Sequence, residues 1–383
     1  MPIHACGGVV QPVYITSLGR FLPGVPIGND AMEDYLGRIG GKNSINKRRV
    51  LQQNRIETRH YALDTNGTAQ HSSASMAAHA VRHAIAGSEL SLRDLTFLAS
   101  SCTLGDQLVP GLASAVHAEL GVPGLELANL QSVCASALMA CKTAMLNVAS
   151  GEHRAAAVTG SEFASRYFRP MHYEHTEEFH TRGRIGFDAD FLRFTLSDGA
   201  GAAILEPQPN QHGLSLRMHW IHLRSFADRF DPCMTAGYAR DETDTAHYWS
   251  QLPMAQAAAS GMFVLRQDFA LMRRMLPVWV GHYMALIDEG RIVPSAIDHV
   301  VSHYSSHGLR EEVIALLKAA GGMIDEEKWF SNLASKGNTG AASIFILLEE
   351  LFRSGRVKPG ETILCHVPES GRAMNGFMLL EAV

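Results

Sequence analysis

The stretch SVCASALMACKTAMLNVASGEHRAAAVTGSE, residues 132–162, decides the fold. Its first part, CASALMACKTAMLNVA, is an apolar run of helical length that stops at Ser150-Gly151. AAAVTG, residues 155–160, follows and reads as a buried strand. A helix that feeds straight into a buried strand belongs to an α/β chain, not to an all-α or all-β one. The same succession returns in SKGNTGAASIFILLEELFRSGRVKPGETILCHV, residues 335–367. Ser354-Gly355 there matches Ser150-Gly151, and Asp298 of DHVVSHYS matches Asp94 of DLTFLASS. Both pairs lie 204 residues apart (355 − 151 and 298 − 94). Two distant landmarks that keep one offset indicate two copies of one unit.

Working outward, PVYITSL (12–18) alternates and is β-branched, which suits a first strand. The spacing predicts helices over Ser73–Ala86 and Leu112–Leu120, and LTFLASS (95–101) reads as a buried strand. PQPNQHG (207–213) is the best linker between the copies. The expected halves are therefore 1–207 and 208–383, with a long connection at 163–193 inserted in the first.

Composition narrows the class. Of 383 residues, 46% are apolar and 19% charged, which fits a chain with a large core and excludes a disordered one. Thirty-three Lys and Arg against 38 Asp and Glu give −5, which disfavours a general nucleic-acid binder. Six Cys, Cys6 among them, are too few for a disulfide scaffold, and without a C-x-x-C pair a structural zinc site has no anchor. No P-loop pattern occurs, and no cofactor or metal is called for. The N-terminus lacks a basic stretch followed by an apolar run, so no signal peptide is expected. No long uninterrupted apolar window predicts a membrane span, and the expected location is the cytoplasm.

The repeat also gathers chemistry. Its offset sets Cys134 opposite Asn338, and His303 opposite Ala99 at the end of a strand. Related by a pseudo-twofold, such ends meet at the centre. Cys134, read at the first turn of a helix, would feel the positive dipole end, which favours the nucleophilic thiolate. The alternative is a buried structural thiol, which is the preferred reading for mid-helix Cys141. His303 can shuttle a proton or donate to an oxyanion, with His307 as competitor. Asn338 offers two N–H donors, or serves as a helix N-cap. Glu162 follows a strand and can remove an α-proton, or pair with Arg166 four residues on. His172, His175 and His180 invite a metal, but H-x-x-H-x4-H matches no strong zinc pattern. A lid or dimer-facing insertion over 163–193 is the preferred reading.

Three segments resemble the ketosynthase III class of the thiolase superfamily: 132–162, DHVVSHYSSHGLREEVIALL (298–317) and 335–367. FTLSDGAGAAILEP (194–207) is similar to that family's Gly-Asp-Gly-Ala strand. The resemblance implies a thiolase fold of duplicated βαβαβ halves in a five-layered α/β/α/β/α subunit. It also implies a homodimer and a Cys-His-Asn triad, which carries over to Cys134, His303 and Asn338. Two departures stand out. Ser302 precedes the His and Tyr304-Ser305-Ser306 follow it, where the family has Pro and Gln-Ala-Asn. Ser370-Gly371-Arg372 replaces a Gly run whose backbone N–H completes an oxyanion hole. Both suggest a specialised substrate.

The run NDAMEDYLGRIGGKNSINKRRVLQQNRIETRHYALD (29–64) is more similar to dialkylresorcinol-condensing enzymes. The resemblance therefore implies a condensing acyltransferase that joins two acyl thioesters by Claisen-type condensation and Michael addition, with acyl carrier protein or acyl-CoA as donors. The basic triplet Lys47-Arg48-Arg49 would meet a carrier protein's acidic surface, or is a solvated charge run. The alternatives are decarboxylative β-ketoacyl synthase III chemistry with a malonyl carrier protein, and a catalytically silent partner subunit.

Overall fold

The computed structural model describes residues 11–240 and 243–383; Cys6 and the start of the N-terminal stretch lie outside them. Strands covered on both faces carry no polar alternation. β1 (Tyr14–Phe21), β2 (Phe97–Cys102), β3 (Glu126–Gln131), β4 (Ala156–Glu162) and β5 (Gly199–Glu206) form one five-stranded unit. In it, β2 and β4 are buried from end to end. The second unit is β6 (Leu216–Ser225), β7 (His299–Ser302), β8 (Trp329–Phe330), β9 (Thr362–Glu369) and β10 (Met374–Ala382). The order across all ten strands is β8-β7-β9-β10-β6-β1-β5-β4-β2-β3. Each unit has three parallel strands followed by two antiparallel ones. The units meet at β1 and β6 through only two residue pairs, Tyr14 with Arg217 and Ile15 with Leu216.

Six longer helices complete the layers: α1 (Ser73–Ala86), α2 (Leu112–Leu120), α3 (Ser136–Ala149), α4 (Phe269–Asp288), α5 (His307–Ala320) and α6 (Ser343–Arg353). α3 and α6 touch strands of both units and share the central apolar cluster, which runs from Ala140 and Leu348 to Val158 and Met378. α1 and α2 cover the outer face of the first unit, and α4 and α5 that of the second. The result is the five-layered α/β/α/β/α thiolase arrangement.

Element boundaries follow local chemistry where it is strong. Ser72 caps α1 with a reciprocal Ser75 bond, and Gly121 ends α2 in the left-handed region, both at the expected positions. The helix expected from Cys134 instead starts at Ser136. The repeat offset also varies along the chain. The ends of α3 and α6 keep 204 (353 − 149), but their starts are 207 apart (343 − 136). The difference is a tight 3-10 turn, Gly340–Ala342, that precedes α6. Ala99 lies inside β2, whereas His303 stands just beyond β7, so those two positions are not equivalent.

Gly160 on β4 lets that turn approach. A Cβ there would sit 2.4 Å from the Ala341 carbonyl oxygen. Gly160→Ala is expected to lower stability in urea denaturation by about 1–3 kcal/mol through overpacking. Gly281→Ala, on α4 with nothing within 4 Å of the added Cβ, is the control and is expected to be neutral or slightly stabilising.

Candidate active site

The ends of the parallel strands, or the loops that follow them, line one cavity, and the chain delivers polar side chains there. Cys134 lies two residues ahead of α3, Glu162 ends β4, His303 follows β7, and Asn338 precedes the turn before α6. All four are buried, with relative exposures of 6%, 6%, 4% and 3% respectively. All four line one cavity of about 870 Å³. Most of the remaining wall is apolar, including Val133, Phe163, Leu196, Met272 and Leu276. His307 heads α5, and Cys141 packs in the core 4.0 Å from the Met378 sulfur; neither lines the cavity.

Burial dictates the charge states. It pushes the His303 imidazole down to about 4, so the ring is neutral. It pushes the Cys134 thiol well up, and the Glu369 and Glu162 charges add to that rise. The dipole-favoured thiolate expected from sequence is therefore corrected. Cys134 sits ahead of the helix rather than in its first turn, and desolvation outweighs the dipole. Glu162 is pushed up to about 7 by burial, against the hydrogen bonds that favour its charge.

Asn338 is not the N-cap of α6, a place held by Ala342. Its Oδ1 accepts the Gly340 N–H at 2.9 Å, in an Asx turn. That bond fixes the amide orientation and leaves its NH2 as the donor group. Glu162 does not pair with Arg166, which binds Asp106 at 2.7 Å instead. Glu162 Oε1 accepts from the Thr103 N–H (3.0 Å), the Thr103 hydroxyl (2.7 Å) and the Ala341 N–H (3.1 Å).

Glu369 escaped the reading of the sequence. It ends β9 as Glu162 ends β4, 207 residues apart (369 − 162). It accepts from the Ser132 hydroxyl at 2.7 Å and the Ala135 N–H at 3.1 Å. Each strand-end glutamate thus holds the turn that precedes the other unit's central helix. The signal was present, since 207 is also the offset between the starts of α3 and α6. Arg372 does not crowd the site: its Nε donates to the Phe230 carbonyl at 3.0 Å, and its side chain is exposed.

The segment 163–193 folds into short helices, and Phe163, Ala164, Tyr167 and Leu192 contribute to the cavity wall. Asp198, next to the glycine-bearing β5, anchors this segment by accepting from Ser165 N–H (2.9 Å) and Ala62 N–H (2.7 Å). Among the described residues no group of three His, Cys, Asp or Glu is placed to hold a metal ion. Among them, too, no helix is long and apolar enough to cross a membrane.

A buried Cys, a neutral His and an Asn amide thus meet at the polar end of an apolar cavity. Comparison with known proteins agrees. Residues 287–379 match the family described as 3-oxoacyl-[acyl-carrier-protein (ACP)] synthase III C terminal. The beta-ketoacyl-[acyl-carrier-protein] synthase III of Rhodospirillum rubrum is 28% identical over 324 residues, covering 84% of this chain and 87% of that protein. AbyA1, a tetronic acid condensing enzyme, shares the fold at a TM-score of 0.75 and 22% identity, over 96% of this chain and 99% of its own. Xanthomonas campestris OleA does so at 0.73 and 20%, over 97% and 99%. Over most of its length the chain is therefore similar to ketosynthase III condensing enzymes, and it shares their fold.

Glu369→Gln keeps an acceptor oxygen but removes a charge that opposes the thiolate. Iodoacetamide should therefore alkylate Cys134 faster at a given pH than in the wild type. Glu369→Ala should cost about 1–3 kcal/mol in urea denaturation, because it orphans the buried Ala135 N–H and the half-buried Ser132 hydroxyl.

Proposed function

We propose that Cys134 carries an acyl group as a thioester, and that His303 and Asn338 stabilise the enolate of a second acyl thioester that attacks it. The observation that carries this reading is the shared cavity of Cys134, His303, Asn338 and Glu162. In the first step the Cys134 sulfur bonds the donor carbonyl carbon, the donor's C–S bond breaks, and the Cys134 proton passes through His303 to the departing thiol. In the second, Glu162 removes the α-proton of the other thioester, the enolate carbon bonds the Cys134-bound carbonyl carbon, the C–S bond to Cys134 breaks, and the proton held by Glu162 returns to the departing sulfur. The neutral His303 ring and the Asn338 NH2 face the developing oxyanion, where fixed donors in a dry site act most strongly.

We assign the overall reaction to Claisen-type condensation and Michael addition, giving a cyclohexanedione that precedes a dialkylresorcinol. Glu162 supports this version, since a non-decarboxylative route needs a base and Glu162 is pushed up to about 7. The decarboxylative version with a malonyl carrier protein needs no such base. A silent partner subunit needs none of the four side chains at the cavity.

Two surfaces bear on partners. β3 is an edge strand with exposed and half-buried residues, and Leu108 and Val109 nearby are each 82% exposed. Such an edge supports a homodimer built by pairing β3 with its copy. Arg48 and Arg49 are exposed, and Arg49 stacks on the Phe187 ring at 4.7 Å. Phe187 in turn packs on Phe269, two residues from the cavity-lining Gln267. This placement supports carrier-protein docking there, with Lys47 committed to Glu33 at 3.1 Å.

Intact-mass measurement after incubation with octanoyl-CoA or octanoyl carrier protein should show one acyl adduct, absent from Cys134→Ala. Asn338→Ala should keep the adduct but lose condensation by roughly 100- to 1000-fold, the scale of a lost oxyanion donor. No adduct from either donor would overturn the reading in favour of the silent subunit. Carbon dioxide release during turnover would favour the malonyl version.

The pH dependence has a definite sign. A base must be ionised, so condensation should rise as pH passes upward through about 7 and fall away below it. His303, pushed down to about 4, is neutral across that range and adds no limb. Glu162→Gln should keep acyl loading and abolish the limb together with the product; unchanged turnover would remove Glu162 from the mechanism.

A further inference from the structure

α4 and α5 pack side by side over the second unit. Met272, Leu276 and Trp279 of α4, with Leu309 and Val313 of α5, wall the catalytic cavity. These positions recur every three or four residues, so they share one face of each helix. One turn further, Val280 and Tyr283 of α4 and Leu317 of α5 wall a second cavity of about 460 Å³. Trp279 and Val313 belong to both walls. The two cavities therefore lie end to end along one helix seam. From Met272 to Tyr283 that seam runs about 16 Å at the helical rise per residue.

The second cavity is made for an apolar occupant. Its floor includes Val300, Leu364 and Phe377. Its polar members are satisfied or neutral. The Tyr283 hydroxyl donates to the Gly322 carbonyl at 2.9 Å. His366 is pushed down to about 3 by burial, and its ring bonds Ser302 and Asn375. The partition itself is held in an unusual way. The Trp279 carbonyl accepts from Asn375 Nδ2 at 3.2 Å, which pins the backbone. The buried Trp279 indole N–H has no hydrogen-bond partner. Only packing keeps the ring in place, so turning it breaks no polar contact. Pro277, two residues earlier in the helix, also removes one helical N–H donor beside the partition.

We propose that the two cavities are a single acyl channel divided by the Trp279 indole, and that Trp279 sets the longest chain Cys134 can carry. This inference rests on Cys134 as the acyl carrier and adds the determinant of chain length. The ligand class is a straight or branched alkyl chain, entering from the thioester end and running along the seam between α4 and α5.

The test compares Cys134 loading by octanoyl-CoA and palmitoyl-CoA, read by intact mass over time. Trp279→Ala should raise the palmitoyl-to-octanoyl ratio roughly tenfold or more, the scale on which an apolar pocket discriminates by a few methylenes. Trp279→Phe should fall between wild type and alanine. Adding Leu317→Phe to Trp279→Ala refills the far cavity from α5 and should restore the wild-type ratio. Should the alanine variant fail to fold, Trp279→Leu retains apolar volume and carries the same expectation. A folded Trp279 variant that loads octanoyl normally with an unchanged ratio would overturn the gate while leaving the acyl-carrier reading intact. A wild-type protein that loads neither chain would overturn both.

Discussion

Two buried carboxylates, each reaching from the end of one strand to the turn before the other unit's central helix, govern the geometry of this site. Glu162 binds the Ala341 N–H, and Glu369 binds the Ala135 N–H, each at 3.1 Å. A carboxylate taken out of water is costly unless its oxygens are met by donors. Here the donors include backbone N–H groups at helix starts that carry no side-chain cap, with the Thr103 and Ser132 hydroxyls beside them. The two needs satisfy each other. Cys134 adjoins one bonded residue, and Asn338 lies three positions from the other. The Cys134 turn is therefore placed by the second unit, and the Asn338 turn by the first. This is why the reactive ends converge although the two sheets share only two residue pairs.

The same burial sorts the reactive groups by protonation. With water excluded, each group retreats toward its neutral form. The thiol moves up and the imidazole moves down, so both are uncharged near neutrality. Glu162 alone among the four lands near neutrality, because three donors to one oxygen offset part of its desolvation. A neutral His and a neutral amide suit transient oxyanion stabilisation better than charged ones. They need no counter-ion at rest, and they stand already oriented when charge develops.

The sequence showed the repeated α/β unit and the four polar residues, because both depend on local pattern. Ser72 and Gly121 mark helix ends with their own chemistry, and those boundaries matched. The start of α3 was misplaced by two residues because the apolar run continues through Cys134 and Ala135. What stops the helix there is Glu369, distant in sequence by 234 residues. Asn338 was open to reading as a helix cap because an Asx turn and an N-cap use the same side-chain oxygen on a nearby N–H. Arg166 had the right spacing to pair with Glu162 on a helix, but Glu162 ends a strand and Asp106 takes the guanidinium. Glu369 has no local motif, because its partners Ser132 and Ala135 lie 237 and 234 residues away in the chain. The far cavity had no signature at all, since it exists only where two helices and a sheet meet.

On the proposed function, the polarity of the channel also decides how a substrate would lie in it. Cys134, Glu162, His303 and Asn338 crowd one end, while the seam of α4 and α5 beyond is mostly apolar, its Tyr283 and His366 already bonded to protein groups. An acyl thioester that enters chain-first leaves its carbonyl among the donors and its methylenes against Leu276 and Val313. The reverse pose would carry the amides of a pantetheine arm into a mostly apolar region where the Trp279 indole N–H is unpaired but most amide groups find no partner. Each unpaired amide there costs about 1–3 kcal/mol on protein-derived scales, and the penalties accumulate. Orientation thus follows from desolvation before any specific contact is made. The wall at Trp279 then acts on chain length alone, because every chain that reaches it already has its carbonyl at the sulfur.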